Sequence, residues 1–211
     1  MASLAALEMI GISKYNLVDA AVRIVELRGV EALNLKRIAE EVGIRPGAIY
    51  KYFPNLDAIQ DALTARALAS LIEVHKDVAR DRFGREALEA YALAERAYAQ
   101  AHPTLYAVAL RAPRTANAEL RLLRNTYMGV AITMLRGYEI PTELVSEVAN
   151  CLCAALQGFI AAETAGRGRS RLEFDRNYER LLDMFDSAAH AAAQSAAEAD
   201  RSLRRAIGRS G

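Results

Sequence analysis

Residues 35–59 read LKRIAEEVGIRPGAIYKYFPNLDAI. Ile38, Ala39 and Val42 share one side of a short helix predicted over 35–42, with Asn34 as its N-cap. Gly43 ends that helix and Ile44 plugs the turn. A second short helix is predicted from Pro46 or Gly47 to Phe53, where Pro54 breaks it; Ile49 and Phe53 face back toward the first. Two such helices, joined by a Gly-containing turn, make a helix-turn-helix. Each is too short to persist alone in water, so a third helix must support them.

That support is predicted at Ser13–Arg28. Leu17, Ala20, Ala21, Ile24 and Leu27, with Val25 beside them, form its buried face, and Gly29 stops it. On the other side, Asn55 caps a long helix reaching about Arg80, with Asp57 and Asp61 near its start. Five more helices are expected over roughly 84–101, 103–112, 117–137, 141–165 and 172–193. Pro103, Pro113, Gly137, Pro141 and Gly166-Arg167-Gly168 punctuate them. Ala, Leu, Glu and Arg dominate, and no segment alternates with period two. The chain is therefore expected to be all-α, with about nine helices.

The outer face of the second short helix and its start carry Arg45, Gly47, Ala48, Tyr50, Lys51 and Tyr52. Gly47 and Ala48 are small enough for close backbone approach. Arg45 and Lys51 can neutralise phosphates or reach base edges, and tyrosine hydroxyls can donate to phosphate. Lys36 offers the same from the preceding helix. For Tyr50 two readings stay open, core aromatic or surface contact; Phe53 reads as core.

These residues carry a likeness. Ile38-Ala39, Val42-Gly43-Ile44, Gly47-Ala48-Ile49-Tyr50, Tyr52-Phe53 and Asp57-Ala58-Ile59 together resemble the DNA-binding domain of the TetR family of transcriptional repressors. The resemblance implies that Lys36, Arg45, Gly47, Ala48, Tyr50, Lys51 and Tyr52 touch DNA. Asn34 stands where the family often has a capping Thr, and Leu56 where it often has a phosphate-contacting Lys. It further implies a DNA-binding domain over 1–60 and a ligand-binding and dimerisation domain over 61–211. A homodimer would place one recognition helix per subunit in successive major grooves of double-stranded operator DNA, released by a small-molecule effector. The alternative is a helical ligand-binding or protein-interaction module without DNA binding.

Two stretches resemble one subgroup of TetR effector domains: 101–106, and 155–159 followed by 163–167. That subgroup has a Trp and then His-Gly in its eighth helix; here Cys153 and Gln157 occupy the Trp and His positions, and Gly158 is kept. Candidate effector contacts are Tyr91, Tyr98, Tyr106, Leu110, Tyr127, Met128 and Gln157, since tyrosines combine an apolar body with a polar tip. Charged residues look scarce on those apolar faces, which favours a neutral or apolar effector. Phe174, Tyr178, Leu181, Phe185 and Ala188 give a four-three-four-three seam. With the apolar helix at 141–165, this seam suits either a four-helix dimer interface or the closing of the monomer's own core.

Composition narrows the remaining classes. Hydrophobic residues make up 53% of 211, and the net charge is only +1, so any DNA-binding surface must be local. No apolar run approaches the ~20 residues of a membrane span, so no membrane partner is expected. No basic, apolar leader opens the sequence, and Cys151 and Cys153 read as buried free thiols, so a cytoplasmic location is expected. His75, His102 and His190 lack ligand-like spacing, and no phosphate loop, nucleophile elbow or paired-carboxylate motif is present. No metal, cofactor or catalytic site is expected. Arg201, Arg204 and Arg205 read as a solvated tail.

Overall fold

A computed structural model describes residues 12–166 and 170–207. The described residues contain nine α-helices, two 3-10 turns and no strand. The helices are α1 Lys14–Arg28, α2 Leu35–Val42, α3 Pro46–Ile49, α4 Leu56–Ala79, α5 Gly84–Ala101, α6 Pro103–Ala109, α7 Ala118–Leu135, α8 Thr142–Thr164 and α9 Arg171–Ile207. Arg167 and Gly168 of the expected break before α9 lie outside the described residues, as do the side chains of Arg204 and Arg205. The chain forms two compact units. The first holds residues up to Ile72 together with Tyr98–Asn125; the second holds Glu73–Ala97 together with residues from Thr126 onward.

In the first unit, local chemistry sets each boundary. Ser13 and Asn16 form a reciprocal capping box at the start of α1, and Gly29, at φ 78°, stops the helix. Asn34 accepts the Arg37 amide at 3.0 Å. Gly43 closes α2 in the left-handed region, and the Ile44 amide reaches back to the Ala39 carbonyl. Asn55 accepts the Ala58 amide at the start of α4. Leu17, Ala20, Ala21, Ile24 and Val25 of α1 pack with Ile38, Ala39, Ile49, Phe53, Ile59 and Leu63 as the core. Leu27 is not part of that face: it is 81% exposed, because α1 is ending where the apolar spacing still continues. Asp61 is buried and accepts the backbone amides of Arg114 and Thr115, at 2.8 and 2.9 Å. This side chain ties α4 to the loop before α7.

In the second unit, α8 contributes Val145, Ala149, Leu152, Cys153, Leu156 and Ile160 to the core, and α9 contributes Phe174, Tyr178, Leu182 and Ala189. The buried line of α9 therefore departs from the expected seam: Leu182 and Ala189 replace Leu181 and Ala188. A straight helix at 3.6 residues per turn drifts away from a strict seven-residue repeat. Phe159 meets both Phe174 and Tyr178, with ring centroids 5.9 and 4.9 Å apart. Arg96 is buried and joins three helices: it bonds Glu163 of α8 and Asp175 of α9, and its guanidinium lies 4.9 Å from the Tyr178 ring centroid.

α8 also corrects the expectation about membrane-length runs. At 23 residues, with a stretch of mean hydropathy 1.5, it is long and apolar enough to cross a bilayer by length and composition. Glu143 and Glu147 interrupt the apolar run in the sequence without offsetting the Ala, Leu and Cys content that follows. About one third of that stretch is buried inside the protein. Of the two cysteines on α8, Cys153 is buried as expected but Cys151 is exposed, since residues two apart point to opposite sides of a helix.

Candidate nucleic-acid interface and buried polar cluster

The helix-turn-helix separates its side chains by face. α3 is a single turn, with Pro46 at its start, and turn residues carry the chain on to Phe53. Ile49 and Phe53 face the core. Tyr50 stands 57% exposed, and Lys51, Arg45, Gly47 and Lys36 are also exposed, with Ala48 half-buried. Lys36 lies 3.9 Å from Glu40, one turn on, with both side chains largely in solvent. Six of the seven expected contacts are thus open to solvent to some degree.

Tyr52 departs from them. It is 9% exposed, and its hydroxyl donates to the Ile12 carbonyl at 3.1 Å. The expected helix through Phe53 ends at Ile49, so the chain turns and carries the Tyr52 ring inward. Tyr52 is a core residue that anchors the segment entering α1, rather than part of the outer face.

The structure divides the seven candidate effector residues between the two units. Tyr98, Tyr106 and Leu110 fall in the first; the Tyr98 hydroxyl donates to the Ala67 carbonyl, and its ring lies 5.2 Å from that of His102. Tyr91, Tyr127, Met128 and Gln157 fall in the second. Tyr127 donates to Glu95 Oε1 at 3.0 Å and accepts from Gln157 Nε2 at 3.3 Å. The Tyr91 hydroxyl lies 3.9 Å from Cys153 Sγ.

Sequence reasoning missed three members of this cluster: His75, Glu95 and Cys153. His75 stacks on Tyr91 at 3.9 Å between ring centroids, and its Nε2 is 3.9 Å from Glu95 Oε2. His75 and Glu95 are both wholly buried. The scarcity of charge read from the sequence is therefore corrected, since Glu95 and Arg96 both lie inside the unit. Burial lowers the His75 pKa to about 3 and pushes the Cys153 thiol up to about 11. Burial, followed by the Glu95 carboxylate, raises Tyr127 far above the usual phenol range. Among the described residues no group of His, Cys, Asp and Glu is arranged to hold a metal.

Comparison with known proteins agrees with this architecture. Residues 17–63 match the family of bacterial regulatory proteins of the tetR type, and residues 88–185 match the tetracyclin repressor-like C-terminal domain. The HTH-type transcriptional regulator YobS of Bacillus subtilis (strain 168) is 26% identical over 159 residues, covering 74% of this chain and 71% of YobS. A solved protein of unknown function from Rhodococcus sp. RHA1 shares the fold with a TM-score of 0.69 and 22% identity, covering 83% of this chain and 94% of that one. FadR of Bacillus subtilis, solved in complex with stearoyl-CoA, gives 0.64 and 18%, covering 83% and 98%. At these identities the structural likeness is one of fold. The two family matches fall on the helix-turn-helix and on the helices around the buried polar cluster, and the chain belongs to the TetR family of DNA-binding transcriptional regulators.

Proposed function

We propose that the chain is a homodimeric repressor whose hold on operator DNA is released by a small-molecule effector. Residues 1–60 would bind DNA, and residues 61–211 would bind effector and dimerise. The outer face of the helix-turn-helix carries the reading: Arg45, Tyr50, Lys51 and Lys36 are exposed, while Ile49, Phe53 and Tyr52 hold the motif from inside. Arg45, Lys36 and Lys51 would neutralise phosphate or reach base edges, and Gly47 and Ala48 would admit the DNA backbone.

The dimer reading rests on α8 and α9. Cys151, Ala154, Gly158 and Ala161 form an exposed line of small residues on α8, near the exposed end of Leu144. On α9, Leu181 and Phe185 are half-buried and Met184 is 63% exposed. Small residues allow helices of two subunits to approach closely. A sedimentation mass equal to one chain at micromolar concentration would rule the dimer out. Among the described residues we find no constellation suited to catalysis, and the protein would work in the cytoplasm, without a cofactor, where DNA is available.

Fluorescence anisotropy on DNA flanking the coding sequence, against scrambled DNA over a salt series, tests the central reading. Selective binding that weakens steeply with salt is expected. Equal, weak binding to both DNAs, together with no enriched fragment in a genome-wide selection, would reject it.

A further inference from the structure

On the second unit, one face of α7 is cut low. Thr126, Gly129, Val130 and Thr133 follow one another at helical spacing, and with Lys76 and Arg80 from the end of α4 they line a groove of about 620 Å³. Thr126 and Thr133 stand about 10 Å apart along the helix, the length of one slender molecule. Gly129 opens the floor, since a Cβ placed there would meet no atom within 4 Å. Thr133 donates to the Gly129 carbonyl at 2.8 Å, folding its hydroxyl back on α7. No acid is among the described lining residues, and the one acid of α7, Glu119, lies two turns before Thr126. The nearest acids in sequence on α4 are Glu73, 2.8 Å from Lys76, and Asp77, 3.5 Å from Arg80. Both pairs stand largely in solvent, where an ion pair contributes little, so either cation can turn to a better-placed oxyanion.

We propose that this groove binds an effector with an apolar body and an oxyanion head, carboxylate or phosphate, the body lying on Gly129 and Val130 and the head between Lys76 and Arg80. The proposal rests on the effector-responsive reading above and names its ligand class and its site. Lys76 and Arg80 are four residues apart, so both heads reach the same stretch of groove. The Arg fork matches two oxygens of a carboxylate or phosphate, and the Lys ammonium adds a further charge-assisted donor. An amine head would meet two like charges. An alcohol could accept a hydrogen bond but would gain no attraction between charges. Because the groove is open to water, charge alone would hold a bare ion weakly. The apolar body supplies the rest, through burial against Val130, the bare backbone of Gly129 and the stems of the two cations. Lys76 and Arg80 stand at the far end of the helix that opens, at Leu56, directly after the DNA-facing turn.

Calorimetric titration of the full chain tests the site, each probe kept below its micelle-forming concentration. Octanoate, 4-phenylbutyrate and octyl phosphate are compared with octanol, 4-phenylbutanol and octylamine, and with acetate and inorganic phosphate. At least one amphipathic anion is expected to bind saturably, at least tenfold tighter than its neutral counterpart, than octylamine and than its head group alone. Either head supports the site, and the tighter of octanoate and octyl phosphate names the source. Gly129→Leu fills the groove at an open helical position, so Tm should hold or rise while the anion weakens at least tenfold. Lys76→Gln with Arg80→Gln should abolish the preference for the anion. Arg176→Gln with Arg180→Gln, an equal loss of charge at exposed positions of α9, should change it less than about twofold. No saturable anion, equal binding within every pair, full binding in Gly129→Leu, a preference that survives the loss of Lys76 and Arg80, or an equal loss in the α9 variant would overturn the proposal. Operator anisotropy is measured in parallel, where the anion should lower affinity at least tenfold; an unchanged affinity would overturn its role as effector. Selective DNA binding without anion preference overturns the ligand class alone, whereas anion preference without DNA binding overturns the repressor reading alone.

Discussion

Tyr52 and Ile12, forty residues apart, are joined by a buried hydrogen bond from the tyrosine hydroxyl to the isoleucine carbonyl. It ties the turn after α3 to the segment that leads into α1. Removing the hydroxyl by Tyr52→Phe leaves that carbonyl short of a partner and should cost about 1 kcal/mol in urea unfolding. Operator affinity, measured well below the unfolding midpoint, should stay within about twofold. A tenfold loss of affinity without loss of stability would instead return Tyr52 to the DNA-facing set.

Tyr50 and Lys51 should behave in the opposite sense. Both are exposed, so replacing either with Ala should change stability by less than about 0.5 kcal/mol. Operator binding should fall markedly in each variant. For Lys51→Ala the slope of log affinity against log salt should drop by about 1, the signature of one lost phosphate contact. An unchanged slope would show that Lys51 does not meet the DNA backbone.

Arg96 of α5 bonds both α8 and α9, through Glu163 and Asp175. Arg96→Ala removes the guanidinium from a nearly buried carboxylate, and chemical denaturation should report a loss of about 3 kcal/mol. Adding Glu163→Gln should recover part of that loss, because the nearly buried charge is then gone. A double variant as unstable as the sum of the two singles would show that the pair is not coupled.

His75 gives the protein an acid limb. Its pKa is lowered to about 3 when folded against 6.5 in the unfolded chain, so below pH 6.5 the unfolded state binds the extra proton. Its contribution is fully present above pH 6.5 and is lost as pH falls toward 3, with a slope approaching about 1.4 kcal/mol per pH unit. His75→Phe should flatten that limb between pH 6 and 4. An unchanged limb would place the ionisation elsewhere.

Much of this was legible in the residues. Gly29, Asn34, Gly43 and Asn55 fix helix ends through local chemistry, and the structure ends its helices there. The division of Ile49 and Phe53 from Lys51 followed from spacing, whereas Tyr50 stood open between core and surface until the structure placed it 57% exposed. Tyr52 did not, because a one-turn helix loses the periodicity on which spacing arguments rest. His75 and Glu95 were hidden by chemistry: His75 was weighed only as a metal ligand and Glu95 not at all, although they continue the apolar lines Leu68, Leu71, Ile72 and Leu88, Tyr91, Ala92. A polar residue on such a line was the available signal. Arg96 required knowing that Glu163 and Asp175, far away in sequence, converge on it.

The two thiols of α8 make the chain its own reporter. Cys151 is open, whereas Cys153 is enclosed with its thiol held up near 11 and therefore poorly ionised at neutral pH. A maleimide dye added to the native protein will mark one position per chain without any engineering, and the second site will react only as the fold opens. The rate at which the first is marked then follows whatever covers that side of α8, and the appearance of the second is a clock for unfolding.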